Sequence, residues 1–335
     1  MTDVTLTLDE ARDLAARCLL ANGCDEANAA AVAGNMMRAE RDLCSSHGLF
    51  RLPWHVHSLR CGKANGRARP RVESIAPAVI KVHGDRGFAP LGHEVGRAPL
   101  IDAAHRNGIA AMAYVDMYHI AALWPEVESL ADEGLIALAY TASLPYVAPP
   151  GGKKPLFGTN PMAFAWPRRG KPPLVFDQAS AAMARGEIMI AAREKRQLPE
   201  GAGIDAAGRP TRDPDLVLKG AQLPFGGYKG ASLALMIELL AGPLMGDFLS
   251  IEAEEDDAGA GAGPHGGELI LALDPQRFRP DGGHLNHAEK LFARLANEEG
   301  VRLPGERRLK SRAVTQRKGI AIPKSLHETI LGLLG

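Results

Sequence analysis

Nowhere in these 335 residues do 18 apolar residues run together, and the opening MTDVTLTLDEARDL has neither a basic start nor an apolar stretch. The chain therefore reads as soluble and unexported, with no membrane partner. It carries no excess of charge, since 39 basic residues face 39 acidic ones. A nucleic-acid binder needs a basic face, so no nucleic-acid partner is expected. Cysteine is scarce: Cys18, Cys24, Cys44 and Cys61 are the four, and their spacing matches neither a CxxC site nor a disulfide scaffold. Reduced thiols in a cytoplasmic protein are the expectation. HExxH is missing, and along the sequence the 11 histidines form no tight group with cysteine or carboxylate, so no metal is expected. Also missing is a GxGxxG after a strand, which excludes the ordinary dinucleotide fingerprint.

What is present is an alternation of helical and apolar strand-like segments, which makes the class α/β. Thr7 with Asp9 and Glu10 starts a helix that runs to about Asn22, and Asp25 and Glu26 cap a second over 28–41. A brief helix follows at 53–60, then one short strand over SIAPAVIKVHG (74–84), a helix over 93–108 ended by Gly108, and a buried strand, IAAMAYV. Helix WPEVESLADEG, strand LIALAYT, strand PMAFAWP and strand PLVFDQA come next. Residues 193–220 read as loop, ASLALMIELLAGPLMG as the most apolar helix, EAEEDDAGAGAGPHGG as an exposed loop or hinge, and GELILALDP as a strong strand. From Asn286 the tail is helical and charged.

The polar groups gather in a few places. RDLCSSHGLFRLPWHVHSLRCG (41–62) sets His47 four residues before Arg51, on one face if the segment is helical. Histidine exchanges a proton near neutrality, and arginine grips a carboxylate with two parallel donors. Capping by His47 and a solvated Arg51 are the alternative reading. His55 and His57 read as structural. GGYKG ahead of an apolar helix offers backbone donors and Lys229 to an anion, or is plain architecture. RLPGERR suits a phosphate or a solvated face, and Glu187 in MARGE is either functional or a solvated helix-end acid.

Taken in order, SSHGLFRLP, HIAALWP, KPLFGTNP, FDQAS with MARGE, LPFGGYKG and RLPGER resemble the type 2 malate/L-lactate dehydrogenase family over about residues 5–325. The resemblance implies an α/β fold with a non-Rossmann, NADP-binding mixed sheet, and a homodimer. It implies an N-terminal helical region (1–72), a substrate-side α/β region (73–118), a cofactor domain (119–285) and a helical tail (286–335) returning to the start. HIAALWP, MARGE and PFGGYKG resemble the branch that reduces the cyclic ketimines Δ1-piperideine-2-carboxylate and Δ1-pyrroline-2-carboxylate to L-pipecolate and L-proline with NADPH. The alternative is an NAD(P)-dependent 2-hydroxy-acid dehydrogenase acting on malate, lactate, ureidoglycolate or sulfolactate. Those members commonly have tyrosine where this chain has His55, and HFG where it has HIA at 119.

Carried over by motif, His47 resembles a proton donor, with Ser46 and Glu187 as its relay partners. Glu187 stands where the reductase has aspartate. Arg51 and Thr159 resemble substrate-binding positions. His119, Ile120, Ala121, Ala122, Leu123, Asp177, Gln178, Ala179, Lys229, Arg302, Leu303, Pro304, Gly305 and Glu306 resemble cofactor contacts.

Overall fold

The computed structural model describes residues 3–334. A short strand, β1 (Asp3–Leu6), leads into α1 (Leu8–Ala21), whose entry is closed by a capping box: Thr7 and Glu10 each accept from the other's backbone N–H. Asp25 accepts from the Asn28 N–H at 3.0 Å and starts α2 (Glu26–Arg41). Two turns of 3-10 helix, Ser45–His47 and Leu49–Arg51, then lead into α3 (Leu52–Arg60).

Where the sequence reads one strand over 74–84, the structure has a hairpin, β2 (Arg71–Ala76) with β3 (Val79–Phe88). Pro77 has no N–H to give a ladder and so sits in the turn between them. α4 (Ala89–Asn107) begins four residues ahead of the expected His93, because Pro90 is accommodated in a first turn where no intrahelical N–H is needed. Gly108, at φ +83°, ends it and opens β4 (Ile109–Tyr118). α5 (Trp124–Ala131), β5 (Ile136–Thr141), β6 (Pro161–Trp166), β7 (Leu174–Ala179) and α6 (Arg185–Arg193) follow.

The 193–220 stretch is not mainly loop. It forms β8 (Gly203–Ile204), β9 (Pro210–Thr211) and α7 (Pro214–Lys219), and with β10 (Ala221–Gln222) makes a small three-stranded sheet. Aspartates organise it: Asp205 accepts from the N–H groups of Ala207 and Arg209, and Asp213 caps α7. Then come α8 (Tyr228–Ala241), α9 (Ser250–Asp257), β11 (His265–Leu273), α10 (Pro275–Phe278), α11 (Gly283–Asn297), α12 (Glu306–Lys318), β12 (Ile320–Pro323) and α13 (Lys324–Leu331). No described helix is long and apolar enough to cross a membrane.

The acidic run read as a hinge is therefore a helix, and the glycines after it are pinned. Asp257 accepts from the N–H groups of Gly261 and Ala262, while Trp54, His57 and Ser58 of α3 bond the carbonyls of Gly261, Ala260 and Ala262. Each acceptor in the loop meets a donor on α3, which removes the freedom a hinge needs.

The main sheet runs β2-β3-β4-β11-β5-β6-β7. It is mixed: β3 and β4 are parallel, joined across one face by α4, and the other neighbours are antiparallel. Its strands come from both 73–118 and 119–285. Side chains alternate across it with period two. Met112 and Tyr114 face the core under α4 and α5, while Ala113 and Val115 face Ile237 and Ala241 of α8. A third group, from α1, α2 and α3, packs on Ile320 and Ile322 of β12, which pairs with β1 from Asp3↔Pro323 to Leu6↔Ile320.

α12 is fastened by charge. Asp42, whose side chain is fully buried, accepts Arg312 Nε at 2.7 Å, Arg312 Nη2 at 2.8 Å and Trp124 Nε1 at 3.1 Å. Arg312 also reaches Glu128 of α5 at 2.7 Å. Burial pushes the Asp42 carboxyl up, yet hydrogen bonds from Arg312 and Arg41 outweigh it and hold the group below the usual carboxylate range. Removing Arg312 leaves a buried charge without its main partner. Arg312→Met is expected to cost about 3 kcal/mol, the scale for breaking a buried pair from one side. Urea unfolding at neutral pH checks it, and a loss below about 1 kcal/mol would show that Asp42 is satisfied otherwise.

Candidate active site

The sequence around residue 47 lacks a helical run for a physical reason: Gly48 interrupts it. A Cβ at Gly48 would lie 2.1 Å from Glu40 Oε1, because the Glu40 carboxylate accepts the Leu49 N–H at 2.7 Å. That buried contact sets the two 3-10 turns and so aims Ser46, His47 and Arg51 into one cavity of about 840 Å³. A hollow of this size lies in the range of small-molecule and cofactor sites.

Within it, Ser46 Oγ lies 3.1 Å from His47 Nδ1. Burial, with Arg51 and His119 nearby, pulls the His47 imidazole down to about 3. The ring is neutral at physiological pH. Arg51 is buried, its Nε donates to Ser46 O at 2.7 Å, and its guanidinium lies 4.9 Å from the Trp54 ring centroid. Burial pulls Arg51 down to about 10, so it stays charged. Among the described residues it has no ion-pair partner. A desolvated cation without an acid is an invitation to an anion. His55, which the sequence reads as structural, is buried and bonds Arg51 O at 3.0 Å.

The N-terminus of α6 covers this group. A Cβ at Gly186 would lie 2.7 Å from Arg51 Nη2 and 3.0 Å from Ser46 Cβ, so the close approach requires glycine. Glu187 lines the cavity beside it, but among the described residues hydrogen-bonds neither Ser46 nor His47. Thr159 also lines it, its N–H donating to Ser143 Oγ at 3.0 Å.

Of the residues expected at the cofactor, His119, Ile120, Ala121, Asp177, Gln178, Ala179, Pro304 and Gly305 line the same cavity. The Asp177 carboxylate is committed to structure, accepting from the N–H groups of Leu123 and Trp124 at 2.9 and 3.1 Å at the start of α5. The remaining expectations fall elsewhere. Ala122 and Leu123 are buried in the core, with Leu123 reaching the site only through that backbone N–H. Lys229 is exposed on the first turn of α8 and does not line the cavity. Arg302 is exposed, Leu303 is buried beneath the turn, and Glu306 opens α12, where its charge suits the helix N-terminus.

The residues sequence reasoning did not assign are those contributed by loops. Ser143 and Tyr146 come from the loop before β6, and Arg185 stacks 4.2 Å from the Tyr146 ring centroid. Ser311 reaches the cavity from α12, as do Arg307 and Arg308, two of the basic run Arg302, Arg307, Arg308 and Lys310 that the sequence offers to a phosphate. Gly305, at φ +84° with Val175 O 2.9 Å from a would-be Cβ, presses that turn onto β7. Arg308 donates to Val175 O at 2.8 Å and stacks on Trp124, which leaves Arg307 the freer of the two. The RLPGERR spacing carried the signal for these arginines.

A mixed non-Rossmann sheet with such a cavity between its strand ends and the two chain termini defines the class. Residues 6–331 match the family described as malate/L-lactate dehydrogenase, and the chain belongs to that family. The chain is 46% identical over 333 residues (99% of each) to the Delta(1)-pyrroline-2-carboxylate/Delta(1)-piperideine-2-carboxylate reductase of Pseudomonas aeruginosa. It is similar in structure to delta1-piperideine-2-carboxylate reductase from Pseudomonas syringae pv. tomato, with TM-score 0.92 and 40% identity, covering 98% of this chain and 99% of that one. Sulfolactate dehydrogenase from Methanocaldococcus jannaschii gives TM-score 0.87 at 27% identity, covering 98% and 96%.

The neutral, buried histidines set a pH signature. His55 is pulled down to about 4, by burial first, whereas an unfolded histidine titrates near about 6.5. The unfolded chain therefore binds the extra proton below about pH 6.5, and stability falls as pH drops through that window. Glu40 acts oppositely. Burial raises it to about 7, so its contribution is present in acid and is lost as pH rises through that value. A difference measurement separates them. Between about pH 7 and about pH 5 the wild type is expected to lose more unfolding free energy than His55→Gln. Parallel profiles from chemical denaturation would show that His55 is not held neutral.

Proposed function

We propose that the protein reduces the cyclic ketimines Δ1-piperideine-2-carboxylate and Δ1-pyrroline-2-carboxylate to L-pipecolate and L-proline, with NADPH as reductant. The observation that carries this reading is the buried, unpartnered Arg51 beside the neutral His47 in one cavity. The relatives named above support the substrate class.

Arg51 grips the substrate's carboxylate, since Ser46 O occupies only its Nε and leaves the terminal nitrogens free. Thr159, on the same cavity wall, supplies a hydroxyl to the anion. Carboxylate binding at Arg51 offsets one of the charges that depress His47, so the ring gains proton affinity as substrate arrives. When Ser46 Oγ donates to Nδ1, the proton sits on Nε2, the nitrogen left for the substrate. With substrate bound His47 takes up a second proton, donates through Nδ1 to Ser46 Oγ, and delivers its Nε2 proton to the ring nitrogen as C2 is reduced, returning to the neutral ring. Ser46 and Glu187 are its relay partners.

The cavity residues fit a nicotinamide dinucleotide. The β7 end at Asp177–Ala179, the His119–Ala121 turn and Pro304–Gly305 form walls, and Arg307, Arg308 and Ser311 supply donors for the extra phosphate of NADPH. When bound, this group supplies the hydride. Residues 119–285 with the returning tail form the cofactor half. The acidic helix α9 contributes nothing to the cavity wall and does not oppose that phosphate. A cytoplasmic homodimer completes the reading, and the exposed face of Tyr228, Leu235 and Leu239 on α8 supports it.

Steady-state turnover of both ketimines, pyruvate and oxaloacetate with NADPH and NADH tests the proposal. Preference for the 2-oxo acids would favour a 2-hydroxy-acid dehydrogenase, the reading that the likeness to sulfolactate dehydrogenase supports. His47→Ala is expected to fold, keep NADPH affinity and lose roughly 10²–10⁴-fold in kcat. Near-wild-type kcat across neutral and alkaline pH removes His47 from the role. NADPH is expected to exceed NADH at least tenfold in kcat/KM, about 1.4 kcal/mol. Arg307→Ala should narrow that ratio, and an unchanged ratio places the discriminating contact elsewhere.

A further inference from the structure

We propose that His93, His119, Glu126 and Glu268 form a binding site for a divalent cation of the zinc class, directly behind the wall of the catalytic cavity. Spacing along the sequence could not reveal it, because the four come from α4, the end of β4, the first turn of α5 and β11. One ligand atom from each lies within 4.8 Å of the others. His93 Nδ1 is 3.3 Å from Glu126 Oε1, and His93 Nε2 is 2.7 Å from Glu268 Oε2. His119 Nε2 lies 3.8 Å from Glu126 Oε1 and 3.7 Å from Glu268 Oε2. Tetrahedral zinc with bonds of about 2.1 Å holds its ligands about 3.4 Å apart, so small side-chain adjustments close the site.

The second observation concerns what the cluster leaves undone. His119 Nε2, both Glu126 carboxylate oxygens and Glu268 Oε1 are buried and have no hydrogen-bond partner. Side-chain exposures of Glu268, Glu126 and His119 are 0%, 4% and 4%, so these atoms lie out of the bulk solvent. Buried polar atoms are almost always satisfied, and four unsatisfied atoms on three residues of one cluster call for a further partner. Burial holds the Glu126 carboxyl well above the usual carboxylate range, while the neighbouring His93 keeps Glu268 below it. The site is walled by Tyr114, whose ring packs edge-on against His93 at 5.2 Å. A divalent ion would displace the Glu126 proton, balance both carboxylates and take a lone pair from each imidazole. Two nitrogens with two carboxylate oxygens is a donor set that suits zinc and excludes soft ions such as Cu(I). An entry path exists: a separate cleft of about 410 Å³ reaches His93 and Glu126 from the surface, with Arg38, Glu94 and Arg97 at its sides.

The site has a consequence for the cavity next door. His119 lines that cavity and would also be a ligand, so a bound ion fixes the orientation of its ring. The ion is structural here, because all four tetrahedral positions are filled by protein.

The test uses full-length, tag-free protein stripped with a chelator and titrated with Zn²⁺ or Co²⁺. Elemental analysis is expected to give about one equivalent of Zn²⁺ retained after desalting. Co²⁺ is expected to develop the intense visible bands of tetrahedral N/O coordination. Glu126→Gln should abolish those bands and weaken binding at least tenfold, while Glu94→Gln, just outside the cluster, should leave both unchanged. Should Glu126→Gln fail to fold, ¹⁵N-histidine spectra of the wild type decide: Zn²⁺ must shift two imidazoles to metal-bound positions. Retention below about a tenth of an equivalent, octahedral Co²⁺ spectra, unshifted histidines or binding that survives Glu126→Gln would each overturn the site. These readouts do not depend on turnover, so they stand or fall separately from the reductase reading.

Discussion

One ion-pair network holds the working half of this molecule in register. Arg312 sits between Asp42 and Glu128, and through them ties α12 to the end of α2 and to α5. Asp42 adds Trp124 Nε1, so the first turn of α5 and the indole that packs against Arg308 are set by the same carboxylate. Beside this fastening, the turn carrying Pro304 and Gly305 is held by its contact with β7, by Arg308 on Trp124 and by Thr315 donating to Arg41 O at 2.7 Å. The charges are buried enough to be strong and paired enough to be tolerable, the regime in which an ion pair fixes geometry more than it adds stability. The cofactor wall is thus imposed by electrostatics acting between distant parts of the chain.

The Ser46–His47–Arg51 cluster obeys a different rule. Among the described residues its charge has no ion-pair partner: Arg51 is desolvated, and its neighbours give it a backbone carbonyl, aromatic faces and, further off, the Glu187 carboxylate. The cost of that arrangement is recovered when an anion arrives, and the same event eases the suppression of His47. Recognition and proton affinity are coupled through one guanidinium. Glu40, beneath the Gly48 turn, provides the mechanical support, raised to about 7 by burial while it holds the Leu49 N–H.

How much of this was legible depended on how local each signal was. Caps such as Thr7 with Glu10 and Asp25 with Asn28 are written within four residues, and the helices they begin are found where the sequence put them. Ser46, His47 and Arg51 lie in one contiguous segment and reach one cavity, through two 3-10 turns and not the helical run that would put 47 and 51 on one face. The β2–β3 hairpin was missed because Pro77 lies inside what looks like one β-rich run. The small sheet of 203–222 was missed because its strands are two residues long and held by aspartate turns with no apolar period to announce them. Lys229 is exposed and lies outside the cavity wall of this chain, and a glycine-rich helix entry looks alike whether it faces a ligand or solvent. Ser143, Tyr146 and Arg185 had no local signature, since only the packing of α6 over the 3-10 turns gives them a shared wall. The His93–His119–Glu126–Glu268 group is the extreme case, with 175 positions between its first and last members.

The pairing of β1 with β12 has a temporal consequence. The cavity takes residues from Asp42 to Trp54 and from Pro304 to Ser311, and β1 at Asp3–Leu6 finds its partner only at residues 320–323. During synthesis the ribosome releases His47 and Arg51 long before it releases Arg307, Arg308 and the strand that pairs with β1. Until the 304–311 and 320–323 segments have emerged, the wall and the strand pairing they supply are missing from the cavity's surroundings.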